Sequence, residues 1–85
     1  MSTDSPAPGA LTRAELELLA RLFDRFEYAL DPLSRQAKEA ESEFNDRVAR
    51  LFEERVRVHH PQVSLIVFRS HVRAWCRRFL RQNLP

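Results

Sequence analysis

Arg69, Arg73, Arg77 and Arg81 stand four apart near the end of the chain, in a stretch that holds no acid. On a helix this spacing makes a slowly turning ridge along one flank. Guanidinium groups grip phosphate through paired charge-assisted hydrogen bonds, so the ridge is a candidate anion or nucleic-acid contact. The same residues have a plain structural use. Cations near a helix C-terminus complement its dipole, and 13 of the 14 basic residues of this chain are arginine. No zinc-finger, basic-zipper or single-stranded-RNA motif accompanies the ridge. No recognisable short turn precedes it, as a helix-turn-helix would require.

His59, His60, His71 and Cys76 are the possible metal ligands. Adjacent histidines point about 100° apart on a helix, and His71 and Cys76 are five apart, so they do not stack. With no C-x-x-C or H-x-x-x-H pair, no metal site and no cofactor are expected. Cys76 beside Trp75 reads as a small core residue. Enzyme signatures are missing as well, since one glycine cannot build a phosphate loop or a nucleophile elbow. The Glu53-Glu54 pair beside arginines reads as a solvated salt-bridge face. The expectation is a protein that is not an enzyme.

A third kind of chemistry is apolar. Val63, Ile66 and Val67 project away from the seam formed by Leu65, Phe68 and Val72, so the start of the last helix is apolar almost all round. Such a helix end is normally covered on more than one side. Either the other helices flank it or a second molecule does. Arg55 is out of pattern too. It projects onto the side of Phe44 and Leu51, so its guanidinium must snorkel or meet a carboxylate, in this chain or on a partner.

These groups need elements to position them. Residues 1–10, MSTDSPAPGA, read as a disordered tail, with Pro6 and Pro8 blocking regular structure. Residues 11–85 read as one helical domain. The first helix, 12–30, opens on a capping box, Thr12 with Glu15, and on a Leu11–Leu16 hydrophobic staple. Its buried seam is Leu16, Leu19, Phe23, Phe26 and Leu30, widened by Leu22. Asp31-Pro32 then breaks it: the residue before proline leaves the α region, while Asp caps and Pro starts the next helix well. That second helix, 32–58, carries a seam of Leu33, Ala37, Ala40, Phe44, Val48, Leu51 and Phe52. Its other face offers ion pairs four apart at Glu43–Arg47, Asp46–Arg50, Arg50–Glu54 and Glu53–Arg57. His59-His60-Pro61 ends it. A third helix, 62–83, follows with the seam Leu65, Phe68, Val72, Trp75 or Cys76, and Phe79. VSLIVF at 63–68 is short enough to be a buried strand instead, but no second strand is evident to pair with it.

Size and charge bound the rest. Eighty-five residues make one domain at most. A core of this size supplies only about 3–5 kcal/mol, which favours oligomerisation or docking. Residues 1–60 carry nine Lys or Arg against twelve acids, whereas residues 61–85 carry five arginines and none. Such asymmetry marks either an acidic-partner surface or two halves of one domain neutralising each other. The lone cysteine cannot close an intramolecular disulfide, no run is long enough to span a bilayer, and the start lacks signal-peptide character. A cytoplasmic location without membrane contact is expected.

The expected fold is therefore all-α, a three-helix antiparallel bundle with a disordered N-terminal tail. The expected function is a small accessory or regulatory module that self-associates as a homo-oligomer or docks onto a larger protein. Val63, Ile66 and Val67 would be its contact, with Arg55 and the arginine ridge at the rim. Nucleic-acid binding by Arg69, Arg73, Arg77 and Arg81 is the alternative.

Overall fold

The computed structural model describes residues 9–83. They form three α-helices and, among these residues, no strand: α1 over Arg13–Glu27, α2 over Arg35–Leu51 and α3 over Leu65–Asn83. A five-residue π-helical turn, Phe52–Val56, continues α2 without a break. The three-helix all-α bundle expected from periodicity is the fold observed. VSLIVF is no strand: Val63 and Ser64 end a turn and Leu65 opens α3.

The start of α1 is built as its sequence implies. The Thr12 hydroxyl accepts from the Glu15 amide at 3.1 Å, and the Glu15 carboxylate accepts from the Thr12 amide at 2.9 Å. Two orphan amides of the first turn are thereby satisfied. Leu11 and Leu16 are both buried. Ala10, the last residue of the expected tail, is half-buried against the core, whereas Gly9 is exposed. The rest of that tail, residues 1–8, lies outside the described residues.

Both sides of the Asp31-Pro32 break differ from expectation. α1 stops at Tyr28, and α2 does not begin at Pro32. Asp31 instead folds a turn: its carboxylate accepts from the Leu33 amide at 3.1 Å and its carbonyl from the Ser34 amide at 3.0 Å. An Asp side chain bonded two residues on mimics a backbone turn and competes with helix. Ser34 takes the cap, accepting from the Ala37 amide at 3.1 Å. Leu30 and Leu33, expected on the two seams, thus sit in the connection, and both are exposed.

The far end of α2 explains its π-turn. The buried residues Ala40, Phe44, Val48, Phe52 and Val56 recur every four, and each step of four overshoots one α-helical turn by roughly 40°. A straight helix would have rotated Val56 away from the core. The π-turn, closed by the Arg57 amide on the Phe52 carbonyl at 2.9 Å, needs more residues per turn and cancels part of the drift. Phe52 and Val56 both stay buried.

The core holds Phe23, Phe26 and Phe44 edge to face or tilted at one end, and Phe52 against Phe68 at the other. α2 runs antiparallel to α1, and α3 antiparallel to α2. α3 passes obliquely over α1: Phe79 lies 5.3 Å under the Arg13 guanidinium at the start of α1, while Arg77 reaches Glu27 at its end, 3.2 Å away. Of the expected ion pairs on α2, Glu43–Arg47 and Glu53–Arg57 form at 2.9 and 2.6 Å. Arg50 makes neither of its two, and Arg35–Glu39 forms at the helix start.

Candidate functional site

The turn after α2 decides how α3 presents itself. The His59 and His60 amides both donate to the Val56 carbonyl, at 3.1 and 2.7 Å, and the Val63 amide donates to the His60 carbonyl at 3.0 Å. Ser64 then caps α3: its hydroxyl accepts from the Val67 amide at 3.2 Å, so Leu65, Ile66 and Val67 form the first turn. Phe68, Val72 and Cys76 point inward and are buried. The Cys76 thiol, removed from solvent, has its pKa pushed up to about 12 despite Arg73 and Arg77 nearby.

The three apolar residues singled out at this helix start are divided by the structure. Val63 packs partly against the core. Ile66 and Val67 do not: they keep 70% and 47% of their surface in solvent. No helix of this bundle covers them, and Val58, just before the turn, is exposed as well.

Arg55 meets a carboxylate of its own chain. Its Nη1 donates to Glu15 Oε1 at 2.6 Å and to the Ala10 carbonyl at 3.4 Å. The capping-box glutamate thus serves two purposes, and the bond joins the π-turn to the start of α1. The Arg55 guanidinium, with the Thr12 amide, holds the Glu15 pKa down to about 2, and the Arg55 pKa is raised in return.

The arginine ridge is also divided. Arg73 lies over the rings of Phe26 and Phe44, at 5.4 and 5.5 Å, with Glu41 at 3.8 Å. Arg77 lies over Phe23 and pairs with Glu27. Each places its guanidinium over the aromatic core, a cation–π arrangement. Arg69 and Arg81 make no ion pair among the described residues. A groove of about 340 Å³ runs along this flank between Ile66, Arg69, Ser70, Arg73 and Arg77. Basic groups therefore border the exposed isoleucine on one side.

On the other side lies a cleft that helical periodicity does not reveal. It measures about 470 Å³ and is floored by Val56, Val63 and Phe68. Arg55, His59, His60 and His71 stand around it, which gathers every histidine of the chain at one place. Adjacent positions at a helix end and a third eleven residues on have no helical relation. Only the fold-back of α3 on the π-turn joins them. Among the described residues no group of three His, Cys, Asp or Glu is placed to hold a metal ion.

Fold and surface together define a small all-α bundle whose last helix begins with an uncovered apolar turn between a basic flank and a histidine-lined cleft. The chain matches no family model, no curated protein and no solved structure. No helix among the described residues is long and apolar enough to cross a membrane.

Proposed function

We propose that this protein is a non-enzymatic interaction module that docks onto a larger protein through the first turn of α3. The observation that carries this reading is the exposure of Ile66 and Val67, side by side on a helix whose opposite face is buried. Apolar residues centred in a polar rim are the usual make-up of a contact patch. Arg69 and the Ile66-lined groove supply the rim. Arg55, tied to Glu15, holds the neighbouring backbone in place.

Charge speaks for a different partner over a second copy. An isologous contact through this patch would bring together two copies of the acid-free segment after residue 60, and like charges set against each other oppose association. Nucleic-acid binding is less well supported, because Arg73 and Arg77 are committed to aromatic faces and to Glu41 and Glu27.

The test compares the wild-type chain with the Ile66→Glu, Val67→Glu double variant. Both are used to recover partners from the native cells at low and high salt. The proposal expects a defined protein that stays with the wild type at high salt and is lost with the variant. Recovery of the same proteins by both, or of nucleic acid released by salt in proportion to phosphate contacts, would overturn it.

A further inference from the structure

The cleft beside the π-turn is separate from the exposed patch and has its own chemistry. Its floor of Val56, Val63 and Phe68 is apolar. Its polar side chains are Arg55 and the imidazoles of His59, His60 and His71, and among the described residues no carboxylate lines it. Each imidazole carries at least one N–H donor. Arg55 spends Nη1 on Glu15 and on the Ala10 carbonyl, which fixes the guanidinium. Its Nη2 and Nε have no partner among the described residues. The volume, about 470 Å³, falls in the range of small-molecule pockets, which combine apolar walls with a few convergent polar groups. A π-turn beside such a pocket recurs at functional sites.

We infer that this cleft binds a small amphiphilic carboxylate. The apolar body lies against Val56, Val63 and Phe68, and the carboxylate takes hydrogen bonds from the open edge of Arg55 and from imidazole N–H groups at the rim. The bond from Nη1 to Glu15 holds the Arg55 guanidinium at the cleft wall. A cationic head finds no acceptor charge there, and a neutral one forgoes the charge-assisted bonds.

The experiment titrates the full chain with decanoate below its micellar concentration, following backbone amide resonances. Decanol and decyltrimethylammonium serve as matched neutral and cationic probes. Decanoate should shift the amides of Val56, Val63, Phe68 and His71, and should bind about tenfold or more tightly than either matched probe. His71→Glu replaces an exposed side chain at the rim and leaves the core untouched, and it should weaken decanoate severalfold. Ile66→Glu should leave decanoate binding unchanged, which keeps this result independent of the docking patch. Equal affinity for the three head groups, shifts centred on Ile66 and Val67, or no saturable shift at all would each overturn the inference.

Discussion

Ile66→Glu is the substitution whose effect separates an uncovered surface from a hidden interface. Ile66 keeps 70% of its surface in solvent, so replacing it forfeits under a third of an isoleucine's burial. Full burial is worth about 1.5–3 kcal/mol, which makes the loss about 0.5–1 kcal/mol. Against this stand two gains. Ile66 is the second residue after the Ser64 cap, where an acid interacts with the helix dipole for about 0.3–1 kcal/mol. Glutamate also has the better helix propensity, by about 0.2 kcal/mol. The net change is within about 0.5 kcal/mol of zero, a Tm shift of at most about 4 °C for a domain of this size. Val67→Glu gives up more burial, at 47% exposure, but completes a capping box with Ser64 that offsets part of the loss. The same substitution at Val72, fully buried on the same helix, places an unpaired charge in the core and should unfold the protein. Thermal and urea denaturation followed by circular dichroism, at protein concentrations spanning two decades, measure all three. The opposite result is a loss above about 1.5 kcal/mol for Ile66→Glu, with a wild-type Tm that rises with concentration. Ile66 would then be covered by a second copy in solution, and the uncovered patch would not exist.

Three further outcomes follow from the core and its electrostatics. The Glu15 pKa is held at about 2 against an ordinary 4.5, so its contribution to stability is complete above pH 4.5 and is lost as pH falls toward 2. Glu15→Gln should therefore lower the urea midpoint at pH 7 and flatten its decline over that window; parallel profiles for the two proteins would contradict the pairing with Arg55. Cys76 is fully buried with its thiol pKa near 12, so a disulfide exchange reagent at pH 8 should leave the native protein unreacted and modify it fully in guanidinium. Arg73→Gln should cost about 0.5–1 kcal/mol through the lost stacking on Phe26 and Phe44, while Arg69→Gln should stay within about 0.5 kcal/mol of wild type; equal effects in chemical denaturation would remove the distinction drawn within the ridge.

Local chemistry makes much of this protein legible from its residues alone. The helices and inward faces of α1, α2 and α3 follow from apolar residues spaced three and four apart. The start of α1 follows from Thr12 and Glu15, because a capping box involves only residues within one turn of each other. The break at Asp31-Pro32 is legible for the same reason. Its detail is not: the Asp31 carboxylate takes the Leu33 amide, which moves the cap to Ser34 and leaves Leu30 and Leu33 outside both seams.

Tertiary structure decides the rest. The drift of a four-residue repeat has to be absorbed somewhere, and the π-turn at Phe52–Val56 resolves it where α2 needs Val56 in the core. Arg55 finds its carboxylate forty residues away on Glu15, a pairing no helical projection contains. Arg73 and Arg77 look like Arg69 and Arg81 in sequence, yet their guanidinium groups sit over aromatic rings because α3 packs along α2 and passes obliquely over α1. The histidines meet in one cleft because α3 folds back on the π-turn. Sequence determines which residues each helix turns inward. The packing of helix on helix determines which outward-facing residues are used up within the chain, and so which ones, Ile66 and Val67 above all, stay exposed.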